Sequence, residues 1–114
     1  MFSSTHVTAV VLDLFGKCSR TGAESKLYQL FNKKSNIRAV VSEHGARLVG
    51  LTTPDSKGNL DDVVIGFDSV SAYEAGDCNY YGATCGRTAG RIGAGKFTID
   101  SKQYQLGTNN GPNN

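Results

Sequence analysis

Short apolar or alternating runs, each closed by turn residues, recur along this sequence. That rhythm limits the fold more than any other feature, because it suits strands joined by tight turns. Val7–Phe15 is β-branched and apolar enough for a strand, with Gly16 expected to end it. Ile37–Val41 is a second run, followed by the turn Glu43-His44-Gly45. Ala46, Leu48 and Gly50 then alternate with Arg47 and Val49 as a strand reaching Thr53. Residues 54–59 read Pro-Asp-Ser-Lys-Gly-Asn. Pro presets φ, Asp bonds its own backbone, and Gly takes the left-handed position. Val63–Phe67, bracketed by Asp62 and Asp68, is expected as another strand, and Ser69–Tyr81 as a loop with a helical turn. Phe97 and Ile99 alternate with Thr98 and Asp100, and Tyr104 and Leu106 continue beyond Asp100-Ser101-Lys102, which predicts a hairpin. One stretch is ambiguous. Thr21-Gly-Ala-Glu24 has capping-box spacing with Leu27, Leu30 and Phe31 at helical intervals, yet Leu27–Phe31 also reads as a buried strand. The remainder reads as a mostly β, antiparallel domain.

At 114 residues the chain is one domain at most. Burial of about two-thirds of its surface permits a small core but no separate cofactor domain. Twelve Lys and Arg against ten Asp and Glu give a formal charge of +2. That is far from the concentrated positive face of a nucleic-acid binder, so no nucleic acid partner is expected. Cys18, Cys78 and Cys85 form neither a CxxC nor an even framework, and no Asn-x-Ser/Thr acceptor occurs. A reducing, cytoplasmic setting is expected from these features. The apolar run Val7–Leu12 has no basic start and is interrupted by Asp13, so neither a signal peptide nor a membrane partner is expected.

Few residues offer chemistry. Gly90–Lys96 contains the GxxxxGK core of a phosphate-binding loop, but Phe97 stands where a magnesium-binding hydroxyl belongs. The following residues alternate as a strand, whereas phosphates are cradled at a helix N-terminus. A glycine-rich hairpin entry is the better reading. His6 and His44 have no Cys, His or carboxylate at ligand spacing, so no metal site is expected, and His44 reads as a solvated turn residue. Asp61 and Asp62, as strand neighbours, point to opposite faces and read as solvated charges. Cys85 lies among small residues and is expected to be buried. Arg87 and Arg91 lie in Gly82–Ile92, a segment so rich in small residues that another strand or a ligand could approach its backbone closely. An Arg there presents a planar fork of donors suited to carboxylates or adjacent sugar hydroxyls.

Several ordered stretches carry a family resemblance. They are Phe15-Gly16, Leu27–Lys33, HGARLVGLTTPDSKGNLDDVVIGFD at His44–Asp68, YYGATCGRTAGRIGAGKFTID at Tyr80–Asp100, Tyr104–Leu106, and NNGPN at Asn109–Asn113. The GATxGR…RI…GKF…NNGPN series is specific. The chain resembles the N-terminal portion of the aldose 1-epimerase (galactose mutarotase) family as a partial domain over residues 1–114, with the match from about residue 12.

The resemblance implies an all-β fold, part of a large antiparallel β-supersandwich, and so makes Leu27–Phe31 a strand. It implies interconversion of the α and β anomers of hexoses such as galactose and glucose. In that reaction a Glu removes the C1 hydroxyl proton while a His protonates the ring oxygen, with no cofactor, metal or nucleotide. Both residues are expected beyond Asn114, so no residue here is assigned a catalytic role. Arg91 matches the family's sugar-binding Arg. Gly90 stands where the family usually has Asn, and the lost amide is expected to weaken hexose binding by about 1 kcal/mol per hydrogen bond. A portion of a larger sandwich exposes strand edges and an apolar face, so self-association or complementation by a C-terminal segment is expected. A reading from another class is a non-catalytic β-rich module that binds sugar or a protein.

Overall fold

The computed structural model describes residues 7–75 and 80–114, which form two compact units divided after Thr84. His6 and Cys78 lie outside the described residues.

In the first unit, β1 (Val7–Lys17), β2 (Glu24–Asn32), β3 (Ile37–Ser42), β4 (Arg47–Pro54) and β5 (Leu60–Asp62) make one antiparallel sheet in sequence order. Leu27–Phe31 is strand, paired on both sides by β1 and β3. Two neighbouring ladders outweigh the local capping-box propensity of Thr21–Glu24.

Gly16 does not end β1, which runs on to Lys17. Instead the register slips between Val11 and Leu14 and again between Leu14 and Gly16. Such bulges bend and twist an edge strand. Gly16 takes φ +142°, and a Cβ there would lie 3.3 Å from Val70 Cβ, so glycine lets the helix α1 (Val70–Ala75) approach the strand. A further slip between Val40 and Val41 leaves Val49 of β4 unopposed. Val49, Leu27 and Phe67 pack against the buried cluster Phe15, Val70 and Tyr73. Tyr73 binds this cluster together. Its ring meets Phe67 edge-on at 5.0 Å, and its hydroxyl accepts the Phe67 N–H at 3.1 Å.

Val63–Phe67 is not a strand. One backbone bond continues past β5, from Val63 N–H to the Leu51 carbonyl at 3.0 Å. Asp62 then takes over: its carboxylate accepts the N–H groups of Leu51 at 2.9 Å and Val64 at 3.0 Å. A side chain occupying the partner's donor ends the ladder. Asp62 is therefore a backbone clamp rather than a merely solvated charge. The turn at residues 54–59 forms as read, with Asp55 accepting from Lys57 and Asn59 and with Gly58 at φ +87°.

The second unit holds one hairpin, β6 (Lys96–Ile99) and β7 (Lys102–Gln105). Its turn is only Asp100-Ser101, both at positive φ, the backbone that matches the twist of a two-residue hairpin. Phe97 and Tyr104 face each other across it with rings stacked at 5.2 Å. A single 3-10 turn, Gly93–Gly95, leads directly into β6, so the GxxxxGK stretch enters a hairpin and not a helix.

Candidate functional site

Arg91 belongs to an irregular segment that is bonded to residues 110–114. Ile92 and Asn114 exchange both backbone bonds, Ile92 N–H to Asn114 O at 2.7 Å and Asn114 N–H to Ile92 O at 3.1 Å. The NNGPN stretch closes on itself as a turn. The N–H groups of Asn109 and Asn110 donate to the Asn113 carbonyl at 3.0 Å, and Asn113 N–H returns to Asn110 O at 3.1 Å. Gly111 supplies the left-handed residue at φ +59°. Side chains tighten the join: Ala94 N–H donates to Asn113 Oδ1 at 3.3 Å, and Asn114 Nδ2 donates to Gly107 O at 2.6 Å. The Gln105 side-chain amide does the same nearby, its Nε2 donating to Ala94 O at 3.1 Å and Leu106 O at 2.8 Å.

The result is that two motifs far apart in sequence share one site. Arg91 Nε donates to Asn110 Oδ1 at 2.9 Å. One edge of the guanidinium is thereby fixed, while the terminal Nη groups have no partner among the described residues. A planar fork held at Nε is ready to donate to adjacent hydroxyls. The side chain is exposed, as is Gly90, where a Cβ would meet nothing within 4 Å. Arg87 is also exposed on the same segment and is not drawn into the Asn110 contact. Cys85 is exposed rather than buried. Its small neighbours join no sheet, so nothing packs over the thiol.

A shallow apolar hollow of about 220 Å³ lies in the first unit, lined by Phe15, Leu27, Val40, Val49, Phe67 and the carboxylates Asp62 and Asp68 among others. Asp62 is committed to Leu51 and Val64, and those bonds hold its carboxyl below the ordinary range.

The family model for aldose 1-epimerase matches residues 26–114. The chain belongs to the aldose 1-epimerase family. It is 35% identical to the galactose mutarotase of Bos taurus over 107 residues, which is 94% of this chain and 30% of that protein. It is also 35% identical to a probable aldose 1-epimerase of Arthroderma benhamiae over 92 residues, 77% of this chain and 21% of that protein. The crystal structure of a GalM/aldose epimerase homologue from C. elegans superposes with TM-score 0.59 at 40% identity, covering 70% of this chain and 24% of that one. The antiparallel fold expected from the sequence is thus the family's fold. The chain corresponds to an N-terminal portion and spans about 30% of the length of the mutarotases it matches. Among the described residues no helix is long and apolar enough to cross a membrane.

The sequence reading missed one grouping entirely. Cys18, His44 and Glu74 offer donor atoms that all lie within 4.8 Å of one another. They are distant along the chain and come from a loop, a turn and a helix, so no spacing rule could find them. His44 is half-buried, not a freely solvated turn residue.

Proposed function

We propose that this chain supplies the hexose-holding part of an aldose 1-epimerase, with Arg91 donating to adjacent sugar hydroxyls and Gly90 leaving space beside it. The observation that carries the reading is the Arg91–Asn110 bond, which ties the family's GATxGR…RI series to its NNGPN turn and leaves the terminal guanidinium donors for a ligand. Hexose is the proposed substrate class because uncharged vicinal hydroxyls are acceptors that a fork can bridge without needing a compensating charge.

The proposed reaction is anomer interconversion. A general base takes the C1 hydroxyl proton as a general acid protonates the ring oxygen. The ring opens, the C1 carbonyl rotates, and reclosure yields either anomer. Neither role is given to a residue of this chain. The half-buried Glu74 accepts the Ser19 N–H at 2.9 Å, and that bond holds its carboxyl below the ordinary carboxylate range. The acid and base are assigned to the remaining length of the family's fold. The exposed apolar residues of β1, Val7, Val10, Val11 and Leu14, fit a strand completed by further chain or by a second copy. A cytoplasmic location is part of the same reading, since Cys18 and Cys85 are free thiols.

Polarimetry of freshly dissolved α-galactose tests this. The chain alone is expected to leave the rate at its uncatalysed value. Turnover that scales with the concentration of this chain would overturn the assignment of acid and base to residues outside it.

A further inference from the structure

We propose that Cys18, His44 and Glu74 form a binding site for one divalent transition-metal ion of the zinc type, separate from any sugar chemistry. The three side chains present a thiol, an imidazole and a carboxylate with donor atoms mutually within 4.8 Å. Around tetrahedral zinc, bond lengths of about 2.0–2.3 Å put neighbouring donors about 3.3–3.6 Å apart. Rotation about side-chain torsions closes a gap of about 1.5 Å or less, so the backbone can stay where it is.

That backbone is well held at all three positions. Cys18 sits in a tight loop, its N–H donating to Ala23 O at 2.9 Å and its carbonyl accepting from Gly22 at 2.8 Å. His44 N–H donates to the hydroxyls of Ser25 and Ser42, each at 3.0 Å, and those two buried serines bond each other at 3.0 Å. Glu74 projects from α1, which Val70 and Tyr73 anchor in the core. The Ser19 N–H reaches both oxygens of the Glu74 carboxylate, at 2.9 and 3.2 Å, and so orients it as an outer-shell donor orients a metal ligand.

The donor set selects the metal. Sulfur and imidazole nitrogen suit zinc and cobalt, whereas calcium and magnesium require oxygen. Three protein ligands leave a fourth position for water. All three residues are half-buried, which shields the ion in part and still lets it enter.

The test is titration of the reduced full chain with Zn²⁺ in competition with a chromophoric chelator, and with Co²⁺ followed by absorbance. One equivalent is expected to bind, with a thiolate-to-cobalt charge-transfer band and the d–d bands of a tetrahedral site. Cys18→Ser and His44→Ala are each expected to weaken binding at least tenfold, and Cys85→Ser to leave it unchanged. Should a variant lose its circular dichroism, the unmodified chain still decides the matter through the cobalt band and the ring proton signals of His44 on adding Zn²⁺. Absence of saturable binding, affinity unchanged in both site variants, loss of affinity in Cys85→Ser, or His44 signals that ignore Zn²⁺ would each overturn the proposal.

Discussion

Replacing Tyr73 should nearly dissolve the first unit, whereas removing only its hydroxyl should not. Tyr73 is 1% exposed and forms the small core with Phe15 and Val70. Its ring lies 5.0 Å from Phe67 and 6.1 Å from Phe15, and the Arg47 guanidinium carbon sits 4.8 Å from its centroid. Truncation of a buried aromatic to Ala forfeits about 3–5 kcal/mol, through lost transfer energy and the cavity left behind. A unit of this size has only about 4–12 kcal/mol in total. Tyr73→Ala therefore removes much or all of the folding free energy. Tyr73→Phe keeps the ring and loses the acceptor for the Phe67 N–H, which costs about 1–3 kcal/mol depending on whether water reaches the amide. Urea unfolding followed by far-ultraviolet circular dichroism separates the two. With a urea slope of about 1 kcal/mol per molar, the Phe variant loses about 1–3 M from its midpoint. The Ala variant should show no folded baseline. A Tyr73→Ala midpoint within 1 M of the parent, or a Phe variant as damaged as the Ala variant, would refute the view that this ring organises the core.

Other consequences follow from single contacts. Gly82 holds φ +62°, and an added Cβ would overlap the Leu48 carbonyl oxygen, so Gly82→Ala should detach the 80–84 turn from β4 and lower the melting temperature. Loss of protection at the Leu48 amide, which donates to Gly82 O, would report it by hydrogen exchange. Gly90→Asn has open space to enter and restores the amide usual in the family. It should tighten galactose binding by about 1 kcal/mol, roughly fivefold, in a calorimetric titration. Acid should destabilise the chain. Glu43 is held below its ordinary 4.5 chiefly by the Tyr28 hydroxyl, and Asp55 and Asp62 below 3.8 by Asn59 and by the Leu51 N–H respectively. Because the folded values are depressed, that stabilisation is whole above the ordinary values and is lost as pH falls through and below them. Thermal melts between pH 7 and pH 3 should show it, and a Glu43→Gln chain should lose part of the dependence.

Most strands were legible because their alternation and turn chemistry agree. Residues 54–59 needed only Pro, Asp and Gly in the right order, and the turn forms as those residues dictate. The failures have a common cause. Val63–Phe67 has a strand's composition, but Asp62 removes the ladder's next donor, a competition invisible in hydropathy. Gly16 looked like a terminator because glycine usually punctuates, yet here it allows Val70 to approach a strand that continues. Cys85 looked buried because its neighbours are small, although small residues that join no sheet cannot cover a thiol. For the candidate site, the motif series pointed to Arg91, but its fixing by Asn110 required the fold. The Cys18, His44 and Glu74 grouping was beyond any linear reading, since it exists only after three elements meet.

The most direct test of the central claim is an amide-resolved NMR titration of the chain with galactose. The account predicts saturable shifts confined to Gly90–Gly95 and Asn109–Asn114, the segments joined by the Arg91–Asn110 bond, and their loss in Arg91→Ala. A folded spectrum that ignores galactose, or shifts that persist unchanged in Arg91→Ala, would contradict it.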